Sequence, residues 1–586
     1  MNLRHTIYLL FIPVCLTAGT ALAQNRKKPA DKKKPATEKT PVKKAPEKAT
    51  DKPAPQTEQK TTKTDTSGGS ISDEIVVVSQ YKPSLADAVK IRRNPDLEDR
   101  IPVKSQQNYA VGDRRLEPST DARMLQSQPY KPGVEPTPFR NYAKAGAGSL
   151  ATTFGEVYVN NIPDQALDFG GYFKHMAQQG ELTKQNTSNQ EVGVFGRYIF
   201  PELSLNGRAS YKGATNYFYG FDPLNPPEQF SPAKQRFNTF TLDGELTKNY
   251  QDVERDFIYG AKLNIYNFSN LFDNNETSGA ITAYANAVVN EFYAGANASL
   301  DFTNSKTGLT NYANHIFRAN PYLKFQGETY KVDAGARLAM QFGSDTKLRI
   351  FPTARAEFQV VPKYVRIFGE VNGDINKSTL QNFYGENPFL GNNLLVQNSV
   401  ERLSISAGAK GLLAPGVGFK AYVFRKKVND LPLIVNNFTE GNAFNVIYDF
   451  GNSRISGFVG EIDAKISENV ILNGKTEYNN YKLATQQEAW NLPNFKLSAN
   501  ARIQAAEKIA ITGTLLYRGE MFDRQADGTP VTLDGFADLS AGAEYRVNPR
   551  IGIFMQVNNL FGNKYYRYLN YAAYGLNVFG GVTVGF

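Results

Sequence analysis

The stretch from Ile551 to Phe586, IGIFMQVNNLFGNKYYRYLNYAAYGLNVFGGVTVGF, decides the fold. Ile551, Ile553, Met555 and Val557 fall on one side of an extended chain and Gly552, Phe554, Gln556 and Asn558 on the other, the period of two that belongs to strands. After a loop of Tyr and Asn, a second strand puts Leu576, Val578, Gly580, Val582, Val584 and Phe586 on one face. Asn577, Phe579, Gly581, Thr583 and Gly585 lie opposite.

The same alternation runs back to Asn141. From Phe317 to Phe325 the odd positions are apolar and the even ones polar, and from Leu497 to Ile503 Ser498, Asn500 and Arg502 take the polar side. Leu539, Ala541, Ala543 and Tyr545 oppose Asp538, Ser540, Gly542 and Glu544. In a soluble sandwich the apolar face meets another sheet; in a membrane barrel it meets lipid. The rhythm of connections favours the barrel. Short turns are expected at Pro201-Glu202, Asn290-Glu291, Gly327-Glu328, Pro362-Lys363, Pro415-Gly416, Glu468-Asn469, Glu507-Lys508 and Pro549-Arg550. Long loops are expected between them at Ala214 to Gln235, Asn376 to Gln397, Lys426 to Asn452 and Gly519 to Thr532. This pattern predicts an all-β, transmembrane antiparallel barrel of about 22 strands over residues 140–586, with a wide lumen. Pro321 and Pro352 lack an N–H for the ladder and are expected at bulges on the lipid side.

A last strand alternating up to a final Phe looks like those of bacterial outer-membrane barrels. Val557-Asn558-Asn559-Leu560-Phe561-Gly562-Asn563-Lys564-Tyr565-Tyr566 is similar to the V-x-N-L-F-x-x-x-Y stretch of the penultimate strand in TonB-dependent receptors. The texture of that superfamily, in a short form like those of Bacteroidota, extends back to near Ser399. The resemblance implies movement of a solute across the outer membrane of a Gram-negative bacterium. Upstream, Glu74, Ile75, Val76, Val77 and Val78 look like the E-[IV]-V-V-V element that an energising partner pairs with as an added strand. A short edge strand of any domain reads the same way. A receptor plug needs roughly twice the length available between Val78 and the barrel, so residues 67–139 are expected to be a reduced plug or a periplasmic element.

The amino-terminal part reads separately. Residues 1–23 have Arg4 and His5, an apolar run and Ala21-Leu22-Ala23, the marks of a secretory signal. The only cysteine, Cys15, lies inside it, without the small residue that precedes a lipidated cysteine. Residues 24–66 hold 13 Lys+Arg and 6 Asp+Glu among prolines, so +7 of the net +10 sits in this segment. It is expected to be a disordered periplasmic linker. A basic tail, not a patterned basic face, gives no support for nucleic acid as a partner. No apolar run is long enough for a spanning helix beyond the signal, and mean hydropathy is −0.43.

Candidate chemistry is sparse. After the signal only His175 and His315 remain, with no cysteine and no metal-ligand spacing, so no metal, cofactor or enzyme activity is expected. A triad assembled in space stays open, and an outer-membrane hydrolase is the last of three readings. Two groups of residues carry the others. On the polar phase Arg318, Lys324, Arg337, Arg349, Arg355, Arg366, Arg402 and Lys410 face Asp333, Glu357, Glu370 and Asp374. They form either a cross-strand charge ladder or a basic lumen wall for anionic solutes or for the acidic Asp96, Glu98 and Asp99. In the outer loops Tyr217, Tyr219, Phe383, Tyr384, Tyr566 and Tyr568 combine rings with Asn and Arg. They bind sugars or peptides, or they pack the mouth. The leading function is a receptor-like transporter or channel in outer-membrane lipid, with a TonB-like or other periplasmic partner reached through residues 24–80. The alternative is a non-transporting scaffold in an outer-membrane assembly or secretion complex.

Overall fold

The computed structural model describes residues 141–586 apart from 162–165, 222–230, 250–256, 290–291, 309, 438–442 and 526. The signal, the linker, residues 67–139 and the Glu74–Val78 element lie outside the described residues. The strands begin with β1 (Tyr142–Gly148), β2 (Thr152–Asn160), β3 (Leu167–Gln179), β4 (Asn186–Ile199), β5 (Leu203–Tyr217), β6 (Lys234–Lys248), β7 (Ile258–Asn270) and β8 (Asn275–Val289). They continue with β9 (Phe292–Lys306), β10 (Asn311–Gln326), β11 (Tyr330–Gly343), β12 (Lys347–Val361) and β13 (Val365–Asn376), then the helix α1 (Leu380–Glu386). After it come β14 (Ser399–Ala414), β15 (Val417–Asn437), β16 (Ala443–Ser467), β17 (Val470–Lys482), β18 (Phe495–Ala506) and β19 (Ile509–Arg518). The last are β20 (Met521–Arg524), β21 (Pro530–Leu533), β22 (Phe536–Arg546), β23 (Ile551–Asn558), β24 (Tyr566–Tyr568), β25 (Tyr571–Ala572) and β26 (Asn577–Gly585).

Twenty-two of these strands form one antiparallel sheet. It closes on itself where β1 meets β26, with Tyr142 opposite Gly585 and Gly148 opposite Phe579. Closure removes the free edges that a bilayer would leave unpaired. Small residues let this seam form: Gly146, Gly580 and Gly581 sit where a Cβ would press on the neighbouring backbone. The period-two faces are as the sequence predicts. Ile553, Met555, Val578, Val582 and Val584 are exposed on the outer surface, whereas Phe554 and Phe579 are buried inside with Met176. No described helix is long and apolar enough to cross a membrane.

One end of the barrel carries the start of β1, the end of β26 and the seven expected short turns that lie among the described residues, all of which connect strands directly; Asn290-Glu291 lies outside the described residues. The opposite end, here the loop end, departs from expectation. Its connections at 149–151, 271–274, 307–310 and 344–346 are as short as the turns, so short and long do not alternate strictly. Lys426 to Asn452 is not a loop. It is the far half of the β15–β16 hairpin, in register from Leu431↔Asp449 to Asn437↔Ala443. Leu433 and Val435 pack with Trp490 on one face, while Ile434, Phe444, Val446 and Tyr448 pack on the other. A strand buried on both faces reads as a continuous apolar run, which hides its period. Gly519 to Thr532 likewise contains β20 and most of β21, a small sheet of its own.

The two prolines also differ from expectation. Both are exposed on the lipid side, yet neither makes a bulge. Pro321 keeps register with Ala296, and Pro352 keeps it with Ala336. The β10–β11 ladder simply omits Asn320 and Pro321, and β12 pairs with β13 only from Ala354 onward. Each missing N–H falls at a gap in pairing, so no extra residue is needed to absorb it.

Candidate functional site

The register itself sorts charge on the inner wall. Lys144, Glu156, Lys174, Glu191 and Lys212 stand opposite one another across β1 to β5. Lys324, Asp333, Arg355 and Glu370 do the same across β10 to β13. Opposite charges in directly facing positions attract at short range. One row away from the first ladder, Tyr142, Tyr158 and Tyr172 stack with ring centroids 5.0 and 5.4 Å apart.

Two groups of charged hydrogen bonds lie on this wall, that of Arg318 under the loop end and that of Glu357 nearer the short-turn end. Arg318 donates through Nη1 to Asp301 at 2.8 Å, through Nε to Asp374 at 2.8 Å and through Nη2 to the carbonyl of Ile375 at 2.8 Å. Arg337 donates to the other oxygen of Asp374 at 3.0 Å, and Lys377 meets Asp301 at 3.3 Å. Arg355 and Lys410 share Oε1 of Glu357, each at 2.6 Å. Beside this network Ile316, Ala339, Phe351, Ile375 and Val400 make a small apolar core on the inner face. Of the expected basic wall, Arg318, Arg337, Arg355 and Lys410 are therefore in ion pairs. Lys324 is paired in register with Asp333 and lies over the ring of Tyr293. Arg349, Arg366 and Arg402 lie on β12, β13 and β14, and the Nε of Arg349 is buried without a hydrogen-bond acceptor among the described residues.

Above the wall, residues 377–398 fold against the barrel. Thr379 caps α1 by accepting from the N–H of Asn382 at 3.1 Å. The wholly buried Glu276 carboxylate on β8 adds a second anchor. It accepts from the backbone N–H groups of Leu380 (2.7 Å) and Gln381 (3.2 Å), from Tyr266 (2.8 Å) and from Ser305 (2.6 Å). Negative charge at the start of a helix meets its unpaired donors. Asn314 and Asn398 exchange amide hydrogen bonds, and Asn314 also donates to Ser378. Leu380, Phe383, Tyr384, Leu390 and Leu394 then pack with Phe237 and Phe268 from one arc of the barrel, and with Phe444 and Tyr448 from another. Tyr568 and Tyr571 arrive from the β23–β26 connection, Tyr571 stacking on Phe389 at 3.8 Å. Tyr219 closes the group by donating to the carbonyl of Ala572 at 2.9 Å. Side chains from three separated arcs of the barrel thus meet over its mouth.

Of the six expected loop aromatics, Tyr219, Phe383, Tyr384 and Tyr568 belong to this cluster. Tyr217 is half-buried under Lys184, and Tyr566 is exposed. The V-N-N-L-F-G-N stretch is a strand end followed by a turn. Asn559 adopts a positive φ and its amide donates to the carbonyls of Asn563 and Tyr574, both at 2.9 Å, which ties the two ends of the loop together. His175 and His315 lie on β3 and β10, and His315 is held between Phe302 and Phe342. No group of three His, Cys, Asp or Glu residues suited to a metal occurs among the described residues.

Sequence reasoning missed Glu276, Asp449, Trp490 and Asp523. Asp449 is wholly buried and accepts from the N–H groups of Ala484 (2.8 Å), Thr485 (2.6 Å) and Gln486 (2.8 Å) and from the hydroxyls of Thr485 and Ser453. Burial pushes its carboxyl up, but the Ser453 hydroxyl and these N–H groups outweigh burial and hold it below the usual range. Asp523 is the reverse. Burial pushes it up to about 6 against the N–H groups of Arg524 and Asn436, and its Oδ2 has no partner among the described residues. A lone acidic residue in a polar loop gives no sequence signal of either state.

No family model matches the chain, and no curated protein sequence matches it. Solved structures do. The ferric-catecholate import receptor Fiu from Escherichia coli K12 aligns at a TM-score of 0.59 and 12% identity, covering 77% of this chain and 82% of Fiu. The pyoverdine outer-membrane receptor FpvA from Pseudomonas aeruginosa aligns at 0.59 and 12%, covering 77% and 79%. The FrpB iron transporter from Neisseria meningitidis aligns at 0.60 and 9%, covering 78% and 82%. At such identities the likeness is one of fold: a 22-strand barrel of the kind that outer-membrane receptors share. These neighbours are transport receptors, not enzymes.

Proposed function

We propose that the protein is an outer-membrane transporter of the TonB-dependent-receptor type, taking up a solute in a Gram-negative bacterium. The observation that carries this reading is the closed 22-strand barrel, which aligns with outer-membrane receptors over 77–78% of the chain. In this reading the short-turn end faces the periplasm and the loop end faces outward. Residues 24–80 reach a TonB-like or other periplasmic partner, with Glu74, Ile75, Val76, Val77 and Val78 adding as a strand to it. Residues 67–139 act as a reduced plug. Neutralisation of Arg318, Arg337, Arg355 and Lys410 by carboxylates supports a structural ladder more than an anion-selective wall.

The packed mouth also suits a scaffold barrel held with other outer-membrane proteins, which needs no passage. Planar-bilayer conductance of the mature chain, beside a variant lacking residues 24–139, separates the readings. The receptor reading expects a silent mature chain and conductance only after the deletion. Steady conductance in both overturns it in favour of a porin, and silence in both favours the scaffold.

A further inference from the structure

Beside the mouth lies a second feature that the transport reading does not use. A cleft of about 320 Å³ opens between β17, the 483–494 connection and β20, within the range of small-molecule sites, about 300–1,000 Å³. Its walls are fixed from several sides. Asp449 pins residues 484–486, Asn479 donates its N–H to Asn494 at 2.7 Å, and Asn491 donates its N–H to Phe522 at 2.7 Å. Trp490, buried against Leu433 and Val435, holds the connection to the outer face of the β15–β16 hairpin. A site on such supports is preformed, so binding costs little ordering.

The lining is chemically one-sided. Asn480, Gln487, Glu488 and Glu520 line the cleft, and their side chains make no hydrogen bond or ion pair among the described residues. Tyr478 and Tyr481 also line it, and the lining contains no Lys or Arg. Two carboxylates without a cation repel anions. A cationic ligand would engage only the carboxylates and the amide oxygens of Asn480 and Gln487 and leave their N–H donors unused, and the oligolysine arm of the test below separates it from a hydroxyl-rich one. Hydroxyls both donate and accept, so they satisfy carboxylates and amides alike, while ring faces cover the C–H side of a pyranose. We propose that this cleft is a binding site for a neutral, hydroxyl-rich ligand of the oligosaccharide class. Binding there does not depend on transport.

The molecule carries its own reporter. Trp490 is the only tryptophan in the chain, and its Nε1 donates to the cleft-lining Gln486 at 3.2 Å. Titrating the full mature chain in detergent with neutral gluco-, manno- and galacto-oligosaccharides is expected to give a saturable change in Trp490 emission for at least one of them. The Asn480→Ala/Glu520→Gln double variant changes two exposed side chains and leaves the Asp449 and Trp490 supports intact. It is expected to bind at least tenfold more weakly with an unchanged melting profile. A response to an oligolysine peptide and to no sugar, a response unaltered in the double variant, or no response across the whole series in fluorescence and calorimetry would each overturn the proposal.

Discussion

The spanning wall and the loop end are built from the same residue types by opposite rules. Along β9 to β14 each strand has one face for lipid and one for the lumen, and the lumen face is largely polar, with carboxylates shared between cations beside the small core of Ile316, Ala339, Phe351, Ile375 and Val400. In the far half of β15–β16 both faces are dry: Leu433 and Val435 look outward to Trp490, and Ile434 and Phe444 inward to the mouth. A membrane strand needs about 9–11 residues to cross. β15 has 21 and β16 has 25, so the surplus does a different job: it is a post around which the loops pack. The lesson is that the wall is held by register and charge, the mouth by apolar burial.

That difference is open to attack by substitution. The largest effect is expected at Phe444, which is wholly buried and whose backbone exchanges hydrogen bonds with Phe389 and Gly391. Phe444→Ala should cost about 3–5 kcal/mol of loop-end stability, read as faster hydrogen exchange over residues 377–398 with the strands of the wall unchanged. Equal loosening of wall and mouth would dissolve the distinction.

Next comes Asp523. Its carboxyl is pushed up to about 6, above its ordinary 3.8, so the folded loop end binds a proton that the opened form releases. The resulting stability is fully present below about pH 4 and lost as pH rises through 6, on the order of 3 kcal/mol at most. The thermal midpoint of Trp490 emission should therefore fall between pH 4.5 and 7.5. Asp523→Asn should flatten that dependence while keeping the acceptor for Asn436 and Arg524. A midpoint that rises over this range would contradict the assignment.

In the wall, Arg318→Met removes three charge-assisted bonds and leaves Asp301 and Asp374 underpaired; a cost of about 1.5–3 kcal/mol is expected, seen in barrel unfolding by urea. Arg208, paired with Asp243 but half exposed, marks the lower limit. Arg208→Ala should cost under about 0.5 kcal/mol, and a cost like that of Arg318 would mean that burial of the pair is irrelevant.

The same contrast explains what was legible in the sequence. Where a strand has one wet and one greasy face the period of two exposes it, so the strand number, the closing strands and the seven short turns among the described residues could be read directly. Leu431 to Val435 and Ala443 to Tyr448 show no period, because nothing on either face is wet, and the Lys and Asn residues around them read as a loop. The mouth aromatics were visible as a composition, but which of them meet depends on three connections far apart in the chain. Glu276, Asp449 and Asp523 were invisible for a related reason. A carboxylate's role is set by the backbone N–H groups brought to it, and those come from α1, residues 484–486 and β15 only after folding.

The most direct test of the account is whether the mouth is closed by the contact between residues 377–398 and the β23–β26 connection. Cys15 is the only cysteine in the chain, so on a Cys15→Ser background Phe389→Cys and Tyr571→Cys can be introduced together and treated with a short bis-maleimide on whole cells. Rings stacked at 3.8 Å predict one intramolecular cross-link in nearly every molecule. Two singly labelled cysteines with no cross-link would mean that the loops stand apart.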